Sequence, residues 1–205
     1  RGRMWIGTRG SGVYCYASGR LSHPITTGYI TQIYEDHAKT IWIGSWNDGF
    51  WTIDSQGKCT NTRKGKLLVS NFVRTFCEDN SGVMWIGTYL GLTRYNPRTG
   101  ASSTFTANTQ EKSLTNSSIW SIIKDNQGTL WVGTYFGGVN YFNPEYEIYT
   151  QYRLQEKNRP GLSSQIVGRM TEDDKGNLWI CTEGGGLNIY NPHTQVFSHH
   201  NLPGT

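Results

Sequence analysis

Trp85-Ile86-Gly87-Thr88 is one of five copies of a short motif that recurs along this chain. The other copies begin at Trp5, Trp42, Trp131 and Trp179, and the intervals between successive tryptophans widen from 37 to 48 residues. A period in the low-to-middle forties is typical of proteins in which similar units stack side by side. The repeat is therefore the structural unit of this chain.

The last repeat shows the four strands of one unit. Runs of strand-forming residues at 166–171, 178–182, 187–190 and 195–198 alternate with turns rich in Asp, Gly and Pro. The same order recurs in three earlier repeats, whose second strands are predicted at 41–45, 84–88 and 130–134. The first repeat begins at the turn and lacks its opening strand. Four short antiparallel strands per period are typical of a propeller blade. The sequence predicts an all-β fold, a β-propeller of about five four-stranded blades with the first truncated.

We expect residues 1–205 to form one propeller segment. The blades are predicted at residues 1–24 (partial), 25–66, 67–110, 111–157 and 158–205. Five blades could close a ring, but the truncated first repeat and the lack of a strand exchanged between the termini argue against closure. The sequence favours an arc of a seven-bladed propeller, with the remaining blades outside this sequence.

Three repeats share the spacing D-x-x-G-x-x-W, at Asp79, Gly82 and Trp85, at Asp125, Gly128 and Trp131, and at Asp173, Gly176 and Trp179. The aspartate can accept hydrogen bonds from turn amides, and the glycine can take a positive φ. The tryptophan then falls on the inward face of the next strand, where a large aromatic ring fills the space between radially packed sheets. We therefore predict that all five repeat tryptophans are core residues rather than stacking platforms. Lys39 replaces the turn glycine in the second repeat, so a different turn type is expected there.

The composition argues against several functions. The net charge is +4 and the basic residues are scattered, so no nucleic-acid partner is predicted. No apolar run is long enough to cross a membrane, and we expect no direct membrane contact in this segment. The four cysteines show no spacing typical of zinc, so no metal is predicted. Cys77 and Cys181 are predicted to be small buried residues.

Enzyme signatures are absent from the sequence. It contains no G-x-S-x-G, no H-E-x-x-H, no phosphate-binding loop and no dinucleotide fingerprint. The D-x-x-G turns are one residue longer than the Asp box of sialidases. We predict neither catalytic residues nor cofactors in this segment. A propeller enzyme, either a glycosidase or one similar to streptogramin lyase, stays open as an alternative.

The repeat pattern resembles the two-component-regulator propeller repeat. The last unit carries it at Glu172-Asp173, Gly176, Leu178-Trp179-Ile180, Thr182, Gly185-Gly186-Leu187 and Tyr190-Asn191-Pro192. The resemblance implies the periplasmic sensor of a hybrid two-component histidine kinase from Bacteroides-like bacteria. In that family the propellers precede a small β-sandwich, a membrane span and the kinase, and the protein can act as a homodimer. The implied ligand is an oligosaccharide, whose binding induces genes for using that glycan.

The loops between the second and third strands are the predicted binding positions, because they open on one rim of the channel. Aromatic faces pack on sugar C–H groups, while polar and charged side chains satisfy hydroxyls or a uronate. The candidate rim residues are Arg9, Trp46, Asn47, Asp48, Tyr89, Tyr135, Phe136 and Glu183. The alternatives are that these side chains fill the funnel, seat a neighbouring domain or bind a protein partner.

Overall fold

The computed structural model describes residues 2–63, 65, 67–108, 113–144, 148–156 and 161–200. Within these ranges the chain forms β-strands and no helix, which confirms the predicted all-β class. No described segment is a helix that could cross a membrane. The predicted blade boundaries at 66, 110–111 and 157–158 lie outside the described residues.

The strands follow one another along the whole described chain. They are β1 (Arg3–Gly7), β2 (Arg9–Gly10), β3 (Val13–Ala17), β4 (Arg20–Ile25), β5 (Gly28–Glu35), β6 (Ile41–Ser45), β7 (Phe50–Ile53), β8 (Cys59–Thr62), β9 (Val73–Glu78), β10 (Met84–Thr88), β11 (Gly91–Tyr95), β12 (Ser102–Phe105), β13 (Ile119–Lys124), β14 (Leu130–Thr134), β15 (Gly138–Asn143), β16 (Ile148–Tyr152), β17 (Val167–Glu172), β18 (Leu178–Thr182), β19 (Gly186–Asn191) and β20 (Val196–His200).

The strands form five antiparallel sheets, which we call blades 1 to 5. Blade 1 has three strands in the order β1-β3-β4, so the described residues include no opening strand for it, as predicted. Blade 2 has the order β2-β5-β6-β7-β8, because Arg9–Gly10 from the blade 1 loop pairs with the edge of β5. Blades 3, 4 and 5 contain β9–β12, β13–β16 and β17–β20, each in simple meander order. The predicted set of five blades with a truncated first one is confirmed.

The opening strands of blades 2 to 5 lie side by side. β9 contacts both β5 and β13, and β13 contacts β17. Side chains join neighbouring opening strands, since the Thr31 hydroxyl donates to the Val73 carbonyl at 2.6 Å and the Ser121 hydroxyl to the Gly168 carbonyl at 2.9 Å. These strands therefore form the inner wall of the arc, as the channel-lining strands of a propeller do.

The core lies between successive blades. Trp42, Trp85 and Trp131 are at most 2% exposed, and each belongs to a cluster that continues into the following blade. The Trp85 ring, for example, meets Phe142 of blade 4 at 5.3 Å between centroids. Trp5 and Trp179, in the two end blades, are only partly buried. The repeat tryptophans thus pack between blades, beside a larger number of buried aliphatic residues.

The aspartate of the repeat turn binds the repeat tryptophan directly. Asp79 accepts hydrogen bonds from the amides of Ser81 and Val83 at 2.9 and 3.0 Å, and from the Trp85 indole N–H at 2.9 Å. Equivalent indole bonds join Asp36 to Trp42, Asp125 to Trp131 and Asp173 to Trp179. In blade 5 this indole bond is the main reason why the pKa of the Asp173 carboxyl is lowered. The spacing of six residues therefore serves both the turn and the core.

The turn of blade 2 has the same shape as the others, so the expectation of a different turn type at Lys39 is wrong. Lys39 has a φ of 67°, close to the 76° of Gly82. Its amide donates to the Asp36 carbonyl at 3.0 Å, as Gly82 does to Asp79 at 3.1 Å. The aspartate and tryptophan bonds impose this conformation on a residue with a Cβ, at a backbone cost of about 1–2 kcal/mol.

Lys39→Gly is expected to stabilise the protein by about 1 kcal/mol, because it removes this backbone cost while losing some unfolded-state restriction. The exposed ion pair between Lys39 Nζ and Glu35 contributes little against that gain. Urea unfolding measures the change. Lys175→Gly is the control, since Lys175 lies in the corresponding turn of blade 5 without a positive φ. An unchanged or lower stability of Lys39→Gly would contradict the steric reading of this turn.

The prediction for the two cysteines is half wrong. Cys77 is buried, and burial raises the pKa of its thiol to about 12, but Cys181 is exposed. Cys181 occupies the repeat position of Gly44, Gly87 and Gly133, which pack against the opening strand of the following blade. No described sheet follows blade 5, so nothing in the described chain covers Cys181.

Candidate functional site

A β-bulge lies near the start of the opening strand in each of blades 2 to 5. Thr31, Arg74 and Trp120 are the extra residues in β5, β9 and β13. In each case the residue before and the residue after form pairs with two consecutive residues of the second strand of that blade. In β17 the irregularity covers Gly168 and Arg169, which stand opposite Cys181. A bulge leaves its extra residue outside the ladder and re-aims its side chain. Here the four bulges direct side chains to the same end of the inner wall.

These side chains line a cavity of about 380 Å³ at the mouth of the arc. The lining consists of Arg9, Tyr29, Ile30, Thr31, Trp46, Phe72, Arg74, Trp120 and Arg169. Within the described ranges the lining therefore combines four aromatic rings with three arginines and contains no aspartate or glutamate. The volume is within the range of small-molecule sites, which are typically about 300–1,000 Å³.

Arg74 lies at the centre of this lining and is only 9% exposed. Its Nη1 donates to the Ser118 hydroxyl at 2.8 Å and to the Ile119 carbonyl at 3.0 Å, both in blade 4. Burial lowers the pKa of its guanidinium, which nevertheless stays charged at neutral pH. The group thus bridges two blades through neutral oxygen atoms.

Aromatic rings surround the Arg74 guanidinium on several sides. Its central carbon lies 4.5 Å from the Phe72 ring, 4.6 Å from Trp120 and 5.1 Å from Tyr89. These distances are typical of cation–π contacts, which hold the guanidinium in place without neutralising it.

The aromatic rings continue along the rim from blade 2 to blade 4. Trp46 lies 3.7 Å from Phe72 between ring centroids and 5.4 Å from Tyr29. Further pairs follow at Phe72–Tyr89, Trp120–Tyr135 and Tyr135–Phe136, with centroid distances of 5.7, 5.9 and 4.4 Å. Several of these rings remain exposed, among them Trp46 at 43% and Tyr89 at 49%. Together they form an open aromatic surface, which we call the aromatic rim.

The structure brings five of the eight predicted rim residues to this region. Arg9 and Trp46 line the cavity, with the Arg9 guanidinium carbon 5.6 Å from the Tyr29 ring. Tyr89, Tyr135 and Phe136 extend the aromatic rim, and Phe136 has a φ of 65°, which turns its loop tightly. These five residues remain candidates for ligand binding.

The other three predicted residues do not line the cavity. Asn47 and Glu183 are exposed on their loops. The Asp48 carboxylate accepts a hydrogen bond from Arg63 Nη2 at 2.9 Å, which ties the loop of blade 2 to its outer edge. Their polar side chains therefore have no demonstrated place around the cavity.

The sequence reasoning missed Tyr29, Thr31, Phe72, Arg74, Trp120 and Arg169, because it considered only the loops after the second strands. A signal for the bulged positions does exist. In each of three repeats an aliphatic residue is followed by one variable residue and then a polar one, at 30–32, 73–75 and 119–121. The middle residue interrupts the alternation expected of an inner strand.

Two larger cavities are lined by other described residues, one between blades 2 and 3 and the other between blades 4 and 5. One of about 440 Å³ includes Asp36 and Trp42, and one of about 540 Å³ includes Asp125 and Trp131. Both are clefts around the repeat aspartate and tryptophan, whose polar atoms already bind each other. Among the described residues, no group of three or more His, Cys, Asp or Glu side chains could hold a metal ion.

Radially packed four-stranded sheets, with an inner wall of opening strands, define the chain as a segment of a β-propeller. The family model described as two component regulator propeller matches residues 24–47, 67–90, 113–136 and 161–184. The chain therefore belongs to the proteins built from two-component regulator propeller repeats. None of the curated proteins matches it in sequence.

Solved structures share this fold at low sequence identity. The extracellular domain of a hybrid two-component system from B. thetaiotaomicron matches 98% of this chain and 33% of its own length, with a TM-score of 0.71 and 22% identity. A second extracellular domain from that organism, described as a one-component system, matches 96% and 35%, with a TM-score of 0.71 and 18% identity. The chain thus spans about a third of the length of these two relatives.

An enzyme has the same fold. A catalytically inactive virginiamycin B lyase from Staphylococcus aureus, crystallised with quinupristin, matches all of this chain and 68% of its own length. Its TM-score is 0.73 and its identity 13%. Likeness at this level shows the propeller architecture alone, and the chemistry of the site has to distinguish the functions.

Proposed function

We propose that the chain is part of the sensor propeller of a hybrid two-component histidine kinase and binds an oligosaccharide at its aromatic rim. The repeat family and the extracellular domains with the same fold support the sensor role. The proposal places the chain in the periplasm, as part of a seven-bladed propeller whose other blades and downstream domains belong to the same protein. Ligand binding would shift a homodimer between two arrangements and so regulate glycan-utilisation genes.

One observation carries the choice of ligand class: the aromatic rim, whose rings lie on both sides of the Arg74 guanidinium. Exposed aromatic faces pack against the C–H faces of sugar rings, and guanidinium groups donate to their oxygen atoms. The rim extends across three blades, which suits an extended ligand of several linked rings better than a single small molecule.

The composition of the cavity lining argues against lyase or glycosidase activity at this site. It contains no histidine, aspartate, glutamate, lysine or cysteine among the described residues. Histidine and carboxylates are the groups that most often perform general acid–base catalysis, and Tyr29 is the one described lining residue that could take that role. A rim that only binds protein would not need a cavity, so oligosaccharide binding is the better explanation of this site.

Calorimetric titration of the complete ectodomain with a panel of oligosaccharides tests this function. Trp46→Ala is expected to weaken binding of the active oligosaccharide about tenfold to a hundredfold, as removal of a central aromatic contact does. Tyr16→Ala is the matched control, since Tyr16 is an exposed aromatic residue on β3 and does not line the cavity. Binding of no oligosaccharide, or equal weakening by both variants, would refute the proposal.

A further inference from the structure

Arg74 is a buried cation, and no carboxylate among the residues that the structure describes pairs with it. It is only 9% exposed, and its two hydrogen bonds from Nη1 go to a hydroxyl and a carbonyl. Its Nε is buried and has no hydrogen-bond partner among the described residues. Buried charges in proteins are normally paired, and buried N–H groups are normally satisfied. Both deficits occur at the same side chain, and that side chain lines the cavity.

The same cavity concentrates positive charge from three blades. Arg9 comes from the blade 1 loop, Arg74 from β9 and Arg169 from β17. No aspartate or glutamate of the described part of the chain lines the cavity, and the nearby Asp48 carboxylate is already bound to Arg63. A neutral sugar would leave these cations uncompensated, whereas an anion would pair with them.

We infer that the ligand carries an anionic group, a carboxylate or a sulfate ester, which binds at Arg74 between Arg9 and Arg169. This inference rests on the proposed oligosaccharide function and specifies its substrate class. The rings of Phe72, Tyr89 and Trp120 hold the Arg74 guanidinium in position before the ligand arrives. Preorganisation of this kind reduces the entropy lost on binding. The aromatic rim then takes the sugar rings on either side of the anion.

Pairs of oligosaccharides that differ only in charge test the inference on the complete ectodomain. The first pair is tetragalacturonate and its full methyl ester, and the second is a sulfated galactan oligosaccharide and its desulfated form. Calorimetry is expected to show that the charged member of one pair binds at least about 30-fold more tightly than its neutral form, since burying an unpaired charge is costly. The pair that responds distinguishes a carboxylate from a sulfate.

Substitutions then locate the subsite. Arg74→Gln is expected to weaken the charged ligand at least about 30-fold and Arg74→Lys about tenfold, because lysine keeps the charge without the planar donor geometry. Arg169→Gln is a second variant that leaves packing intact, since Arg169 is exposed, and it should weaken the charged ligand several-fold. Arg94→Gln, on β11 of the same blade as Arg74, is the matched control and should change nothing. Melting temperatures without ligand verify that each variant is folded.

The possible outcomes distinguish a failure of the anionic subsite from a failure of the proposed oligosaccharide binding. Equal affinity for charged and neutral partners, or equal binding by wild type and folded Arg74 and Arg169 variants, would overturn the anionic subsite and leave sugar binding intact. Binding of no oligosaccharide of either kind would overturn the proposed function and this inference together.

Discussion

Asp79→Ala is expected to destabilise the protein by about 3–5 kcal/mol, among the largest effects of a single substitution in this chain. The carboxylate is almost fully buried and accepts three hydrogen bonds, from the amides of Ser81 and Val83 and from the Trp85 indole. Alanine leaves all three donors without a partner. It also releases the ring that fills the space between blades 3 and 4. Urea unfolding followed by tryptophan fluorescence measures the loss.

Two further variants separate the contributions to this effect. Asp54 makes the same turn bonds to the amides of Gln56 and Lys58 but binds no tryptophan, so Asp54→Ala is expected to cost only about 1 kcal/mol. Asp79→Asn keeps an oxygen for the two amides and places an NH₂ group against the indole N–H. Its cost should therefore lie between the two alanine variants. Equal losses for Asp79→Ala and Asp54→Ala would show that the indole bond is unimportant.

Gly87→Val is expected to destabilise the protein by about 3 kcal/mol, through overpacking at the contact between blades. A Cβ at residue 87 would lie 2.6 Å from side-chain carbons of both Ile119 and Thr75. Neither branched side chain can move far, because Ile119 and Thr75 are both almost completely buried. Valine has a higher strand propensity than glycine, so a loss of stability can be assigned to steric conflict.

Cys181→Val is the matched control for this steric effect. Cys181 occupies the same repeat position in blade 5, is exposed and already carries a side chain. We expect its substitution to change the free energy of unfolding by less than about 0.5 kcal/mol, as at other exposed sites. If Gly87→Val were as mild, the close packing of this glycine against the next blade would be disproved.

The sequence predicted the blades well because local residues determine them. The strands Ile41–Ser45, Met84–Thr88, Leu130–Thr134 and Leu178–Thr182 have the predicted ends, since each lies between a turn and a loop with recognisable residues. The opening strand of blade 5 was placed one residue early, at 166 instead of Val167. At that end the chain enters from a loop without a turn signal, so no residue marks the start of the ladder.

The site was predicted less well, because it depends on how blades meet. Trp46 and Tyr89 could be found from their loop position, whereas Arg74 lies inside a strand that reads as ordinary core. Its role follows from its bulge and from the blade 4 atoms that it contacts, more than forty residues away in sequence. Asp48 shows the opposite error, since its loop position suggested a ligand contact while its partner Arg63 lies across the same sheet.

The bulges affect how the ligand selectivity of such a protein can evolve. The residues before them, Ile30, Val73, Ile119 and Val167, are all branched and aliphatic, and they fix the inner wall. The bulged residues themselves are chemically unrelated: a threonine, an arginine and a tryptophan in blades 2, 3 and 4. Each blade can therefore exchange one side chain at the channel mouth while its own strand pairing stays in register. Because Thr31 and Arg74 also hydrogen-bond to the following blade, selectivity for a new ligand can arise one blade at a time, but each such exchange also alters a contact between blades.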